Sequence, residues 1–566
     1  MTSFALQELK LIDPSMGSGH ILVYAFDVFM QLYEAEGQSP RTSSELILEN
    51  NLFGLDIDQR AFQLAYFALM MKGRQYSRRI LSKQLRPNVY VVPNNSDIGE
   101  AELQLVQMQF NDQKKAQQDL LTLAEGFKNG AELGSLIKFE GLDFENLKSG
   151  LNNTNIFFFD QSIKEMILVG ELLQQQYEIG ITNPPYMGSS GMDKILSGYV
   201  KKIYPDSKRD LFGVFIERLE DMIKSTGYYA MITQHAWMFL SSFEKLRIKI
   251  NQQTIVNMAH LGTRAFEEIG GEVVQTTAFV MTPRKYRNYN GSYLRLVDFE
   301  NYTLKETKSL EGIANPLVNY LYMTNQDNFL KIPGQPISYW VSEITLHIFN
   351  NSKVLGDFAE PRQGMATSNN NLFLREWYEV SQLKIGTIRG YRTNAKWYPY
   401  NKGGSFRKWY GNNELIVDWE NDGEEIKKLA ASLYKNATRT IKNIPYYFRE
   451  GLTWSALTSG NVSFRYTPEG FLFDSKGPII FIDHYKDGIS YDYLLGLLNS
   501  KVTMHFLMIF APTLDFNQGP MRKLPLILCN SENSSVSKLV KSNKDYSSKD
   551  WNNFETAWDF RKHPLV

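Results

Sequence analysis

At 566 residues the chain exceeds what one ordinary core accommodates, so two or three domains are expected. Hydrophobic residues make up 43% and charged residues 22%, and 61 basic groups face 61 acidic ones, so a polyanion-binding surface would have to come from local segregation of charge. The single cysteine, Cys529, excludes an intramolecular disulfide and a multi-cysteine zinc site; no apolar run reaches a membrane span, Met1 to Gln7 lacks the regions of a secretory signal, and a reducing cytoplasm fits.

From Leu9 to about Pro283, short apolar runs alternate with longer helical periods, the pattern of an α/β doubly wound parallel sheet. Leu9 to Ile12 reads as a strand, followed by a Gly turn and a helix from about His20 to Glu36. Leu52 to Leu55 is the second strand, Arg60 to Arg78 its helix, and Val89 to Val92 the third strand. Glu100 to Gly150 is polar, helical and longer than a standard crossover, so it reads as an insertion. Tyr177 to Thr182 is the fourth strand. Leu211, Phe212, Phe215, Ile216, Leu219, Met222 and Ile223 mark one face of a helix leading into a strand at Tyr228 to Thr233. Strands near Thr254 to Ala259 and Thr276 to Met281 complete the sheet. Beyond Pro283 shorter runs rich in aromatics, Gly and Asn suggest a second, mixed α+β domain. The expected division is 1–335, 336–530, and 531–566 as a linker and the start of a further region, the tail from Asn530 to Asp550 being dense in Ser, Asn and Lys.

Asp13-Pro14-Ser15-Met16-Gly17-Ser18-Gly19 joins a strand to a helix, where glycines let backbone approach a ligand and the helix offers free N–H groups. A Gly-x-Gly alone is often just a tight turn. Asp56, ending the second strand, stands where an acidic residue accepts ribose hydroxyls, whereas Asp58 reads as a helix cap. The spacing is not Gly-x-Gly-x-x-Gly and there is no Gly-Lys-Ser/Thr, so the ligand need not carry phosphate. After the fourth strand comes Asn183-Pro184-Pro185-Tyr186. An Asn oxygen and the following carbonyl offer two acceptors for an exocyclic amino nitrogen, the prolines stiffen the turn, and Tyr186 offers a flat face. By itself the tetrapeptide is also a plausible strand-ending Pro turn.

Taken in order, these features resemble the amino-methyltransferases of DNA that use S-adenosylmethionine. The resemblance implies that Asp13, Pro14, Ser15, Gly17 and Gly19 lie against the amino-acid end of the cofactor, that Asp56 holds its ribose and that Ile57 packs on its adenine. The third-strand contact, usually an Asp in this class, would fall to Asn94, with Asp97 as the other candidate. Asn183, Pro184, Pro185 and Tyr186 would hold a flipped-out base. Phe243, in Phe243-Glu244-Lys245-Leu246-Arg247, resembles the residue supplying the opposite stacking face; otherwise it is an aromatic packing a helix start. The sulfonium is already a strong leaving group, so no metal, acid or base is expected, and His20 and His235 read as structural.

Asn51 to Asp58, Asn183 to Gly188, Gly270 to Phe279, Lys396 to Gly404 and Trp558 to Leu565 further resemble the PglX family, the adenine-specific methyltransferases of BREX phage-resistance systems. By that resemblance the chain is the middle of a longer protein. Between Lys384 and Asn413 lie seven basic residues, Lys384, Arg389, Arg392, Lys396, Lys402, Arg407 and Lys408, and no acidic one, interleaved with aromatics such as Trp397 and Trp409. Basic groups pair with phosphates and aromatics cover bases, so this stretch reads as the nucleic-acid surface, a solvated basic loop being the alternative. Arg362 to Asn370, Leu494 to Lys501 and Ala511 to Phe516 resemble parts of target-recognition domains. The implied activity is N6-adenine methylation of double-stranded DNA at an asymmetric site by a monomer, with other BREX proteins as partners. Alternatives are methylation of RNA or of a protein glutamine, or a specificity subunit or scaffold without turnover.

Overall fold

The computed structural model describes residues 5–83, 85–95, 110–151, 158–267, 274–386, 395–458, 460–482, 489–510, 516–527, 533–563 and 565. The chain divides into two compact units, 1–238 with 242–330, and 239–241 with 331–566.

The first unit is built on a nine-stranded sheet: β1 (Leu11–Asp13), β2 (Leu52–Asp56), β3 (Asn88–Val91), β4 (Tyr177–Thr182), β5 (Ile223–Gln234), β6 (Thr254–Gly262), β7 (Thr276–Thr282), β8 (Asn290–Arg295) and β9 (Leu321–Asn325). Their order across the sheet is β3-β2-β1-β4-β5-β7-β6-β8-β9. Strands β3 to β5 run parallel, while β7 is antiparallel to both β5 and β6. The α/β fold is thus doubly wound at one end and mixed at the other. Strand order reverses on either side of β1, which leaves a crevice at the carboxyl ends of β1 and β4, where such folds hold ligands. The helices His20–Ala35 and Gln59–Tyr76 cover the β1–β2 side, burying Phe26, Phe29, Leu48, Leu52 and Leu69 in one core. Asp58 caps the second helix by accepting from the Arg60 amide at 2.8 Å, which settles its structural role.

The insertion between β3 and β4 folds into helices at Gln113–Gly126, Gly130–Leu133, Phe144–Leu151 and Phe158–Gln174. In the second unit an antiparallel sheet of Ala359–Arg362, Ile479–Ile482, Gly451–Trp454 and Phe464–Thr467 lies alongside another four-stranded sheet in sequence order Leu374–Glu376, Trp397–Asn401, Leu415–Asp418 and Leu472–Phe473. The tail differs from the linker expected there. Asn533–Trp551 is a helix whose Val540 is buried, and Val536 and Val540 close over Gly496 of the helix Tyr491–Leu498. Among the described residues no single helix is long and apolar enough to cross a membrane.

Candidate active site

Asp13 ends β1 fully buried, and its Oδ1 accepts from the Ser15 amide at 3.1 Å and the Thr182 hydroxyl at 2.7 Å. The Ser15 and Thr182 hydroxyls are themselves 2.7 Å apart, so a proton chain runs from Ser15 through Thr182 to the carboxyl. Asp13 Oδ2 is buried with no hydrogen-bond partner among the described residues. Burial pushes this carboxyl up to about 7, against the pull of the Thr182 and Ser15 hydrogen bonds. The Gly turn then closes on the second strand: the Gly17 amide donates to Asp56 Oδ2 at 2.9 Å, and the Asp58 amide donates to Asp56 Oδ1 at 2.9 Å. Gly19 enters the first helix at φ 83°, a conformation that glycine adopts without strain.

A cavity of about 330 Å³ opens above this turn. Pro14, Ser15, Asp56 and Ile57 line one side, and Asn183 and Pro185 line another. Parts of the expected cofactor turn and of the expected amine-binding tetrapeptide therefore share one space, while Asp13, Gly17, Gly19, Pro184 and Tyr186 are not in its wall. The rest of the wall was missed in sequence: Glu132, Leu133, Gly134, Ser135 and Leu136 come from the insertion, with Leu196, Leu211 and Phe215 behind them. A polar insertion carries no local signal of where it docks. The buried Arg218 guanidinium holds it, donating to the carbonyls of Ser135, Ile137 and Leu173 at 2.7, 2.9 and 2.9 Å.

Asn183 is exposed, and the Tyr186 hydroxyl lies 3.4 Å from its Oδ1 and 3.3 Å from the Ile232 carbonyl. One proton cannot serve both oxygens well at such lengths, so Asn183 Oδ1 keeps accepting capacity. Burial, then the nearby Asp210 charge, lift the Tyr186 phenol to about 12, so it stays a neutral ring with a polar tip. Asp210 Oδ1 accepts from the Met187 amide at 3.1 Å and caps the helix Leu211–Met222 through the Phe212 amide, fixing the chain just after the tetrapeptide. Phe243 departs from its expected place. It is 2% exposed and its ring packs, tilted by 35°, against Phe212 at 5.5 Å, and Phe212 in turn meets Tyr186 edge-on at 6.1 Å. The aromatic next to Tyr186 is thus Phe212, which its place in an apolar helix face had disguised.

Asn94 is exposed and is not part of the cavity wall; its Oδ1 lies 3.5 Å from the Ala131 amide. His235 is buried, its Nδ1 2.8 Å from His260 Nε2, and burial lowers its basicity to about 4. Among the described residues no group of three His, Cys, Asp or Glu could hold a metal.

The basic stretch in the second unit is only partly free. Arg389 and Arg392 lie outside the described residues. Lys396 pairs with Asp418 and Glu420, both at 3.2 Å. Arg407 pairs with Asp550 and donates to the Tyr410 carbonyl at 3.2 Å, and Lys408 donates to the Asn499 carbonyl at 2.8 Å. Lys402 has no side-chain partner among the described residues, and Lys384 is exposed.

Residues 50–266 match the Eco57I restriction-modification methylase family. The chain is 45% identical over 99% of its length to the adenine-specific methyltransferase PglX of Lacticaseibacillus casei (strain Zhang). That similarity runs along nearly all of this chain. The chain is also 37% identical over 99% of its length to the adenine-specific methyltransferase BrxX of Escherichia coli O9:H4 (strain HS). It spans about half the length of these curated relatives, 47% of each. Among solved structures, the Type IIL restriction-modification enzyme MmeI in complex with DNA superposes with a TM-score of 0.56 over 98% of this chain and 67% of that one, at 10% identity. A nuclease-deletion mutant of the Type ISP enzyme LlaGI gives 0.53 over 95% and 44%, at 11% identity. At such identities these two show the fold, a Rossmann-like methyltransferase sheet with a second unit.

Proposed function

We propose that the chain carries the methyl-transfer and target-recognition parts of a site-specific DNA adenine N6-methyltransferase that marks host DNA in the cytoplasm as part of a BREX phage-defence system. The observation that carries this reading is the single cavity lined by Pro14, Ser15, Asp56 and Ile57 together with Asn183 and Pro185. The PglX and BrxX relatives are adenine-specific methyltransferases by name, and the MmeI relative was solved on DNA, which supports the same substrate.

The residues fit S-adenosylmethionine. Asp56 keeps unused lone pairs for ribose hydroxyls, Ile57 is half exposed for packing against a purine, and Asp13, buried beneath the cavity wall, holds the Ser15 turn through the Ser15 amide. When bound, the cofactor supplies a methyl group on a sulfonium sulfur. The chain's own task is orientation: Asn183 Oδ1 and the Pro184 carbonyl accept the hydrogens of an adenine amino group, drawing its lone pair out of the ring, while Tyr186 covers one face of the extruded base. Phe212 backs Tyr186 edge-on, and Phe243, read for the opposite face, packs behind Phe212. DNA would be held by cations of the second unit, the exposed Lys384 and the half-buried Lys402 first, with Arg389 and Arg392 in the same stretch.

Single-molecule sequencing of genomic DNA from cells carrying the full-length protein, or its Asn183→Ala variant, tests the proposal. N6-methyladenine at one motif is expected with the former and none with the latter, although purified variant should still bind DNA. Undiminished methylation by Asn183→Ala would overturn the assignment.

A further inference from the structure

We propose that Glu132, on the inserted turn, reads the adenine edge of the cofactor in place of an acidic residue on the third strand. The inference rests on the cofactor reading above. Strand β3 ends at Val91, the Val92 amide donates to the Asp56 carbonyl at 2.9 Å, and Pro93, Asn94 and Asn95 follow without a carboxylate, the other candidate, Asp97, lying outside the described residues. The insertion docks on that strand end. The Asn95 amide donates to the Phe127 carbonyl at 3.0 Å, and Gly130 approaches so closely that a Cβ there would lie 1.8 Å from the Pro93 carbonyl oxygen.

The same turn then descends onto the ribose-side wall. A Cβ on Gly134 would lie 2.7 Å from Ile57 Cγ2, and the Ser135 hydroxyl donates to the Pro14 carbonyl at 2.7 Å. Glu132 sits between these two anchor points. It is half-buried and lines the cavity, and its carboxylate has no hydrogen-bond or ion-pair partner among the described residues. A purine packed on Ile57 would present its edge toward this turn. Adenine offers two amino hydrogens there, and a carboxylate only accepts, so the pairing is complementary; at the same position the oxygen of a 6-oxo purine would set lone pairs against lone pairs, leaving only its N1–H to donate.

Isothermal titration of the full-length protein with S-adenosylhomocysteine and with S-inosylhomocysteine, its 6-oxo analogue, tests this. A hydrogen bond to a charged group corresponds to a preference of about tenfold or more for the amino ligand. Glu132→Gln should shrink that preference to about twofold or less, because an amide can donate to the 6-oxo group as well as accept. Thermal unfolding should be unchanged, and Asn94→Ala should keep the wild-type ratio. A wild-type ratio retained in Glu132→Gln, or lost in Asn94→Ala, would overturn the assignment. Equal binding of both ligands by wild type would overturn it too while leaving the cofactor reading intact; binding of neither would remove both.

Discussion

The Thr182 hydroxyl donates to Asp13 Oδ1 at 2.7 Å, joining the residue before the Asn183 tetrapeptide to the last residue of β1. Through Ser15 the same bond reaches the Gly turn, so the two halves of the site share one buried polar link. Thr182→Val should keep the volume but strand the Ser15 hydroxyl and remove a donor from a buried carboxyl. The expected cost is roughly 1–3 kcal/mol, measured as a shift in urea midpoint; no shift would mean that the link is energetically idle.

Asp13 also sets a pH dependence. Burial raises its folded-state value to about 7 from 3.8, so between these the native chain retains a proton that the unfolded chain has released. The group's contribution to stability is therefore full below about pH 3.8 and is lost as the pH rises through about 7. Asp13→Asn should flatten the decline of the urea midpoint over that window, and equal slopes in both proteins would refute the assignment.

Tyr186 acts in this reading through its ring. Both of its hydroxyl contacts exceed 3.2 Å, so Tyr186→Phe should methylate at close to the wild-type rate. Tyr186→Ala forfeits base stacking, about 1–3 kcal/mol, and kcat/KM should fall roughly tenfold to a hundredfold. Equal losses in the two variants would point to the hydroxyl instead.

The cations of the second unit should separate by partner. Lys402→Ala is expected to weaken DNA binding and reduce its salt dependence without altering the melting temperature. Arg407→Ala removes the ties to Asp550 and to the Tyr410 carbonyl, so it should lower the melting temperature. Fluorescence anisotropy across a salt series, alongside thermal unfolding, distinguishes them; an unchanged melting temperature in Arg407→Ala would count against the structural role.

Strands β1 to β7 were legible because their apolar runs are short and bounded by turn residues or helical periods, and β4 matches its expected ends, Tyr177 and Thr182. Strands β8 and β9 were not, since Asn290–Arg295 and Leu321–Asn325 lie at the sheet margin and carry little continuous apolar sequence. The helix Asn533–Trp551 hid behind a Ser- and Lys-rich composition, because it buries only a narrow stripe around Val540. At the site, the Gly turn, Asp56 and Asn183 announce themselves through local chemistry. Phe243 misled because a motif gives spacing and not the direction in which a ring points. The insertion's share of the cavity could not be foreseen, for docking is a property of distant surfaces such as the carbonyls gathered by Arg218.

That guanidinium makes the cavity a two-part enclosure. The sheet and its Gly turn form the floor, whereas the wall from Glu132 to Leu136 is a separate panel, pinned to that floor where Ser135 donates to the Pro14 carbonyl and fastened from behind by Arg218, Tyr199 and Tyr204, none of which lines the cavity. Weakening the fastening at Arg218 is expected to change the depth and shape of the cavity through this panel rather than through the sheet. Ligand selectivity in this chain can therefore be retuned from a position that substrate and cofactor never meet.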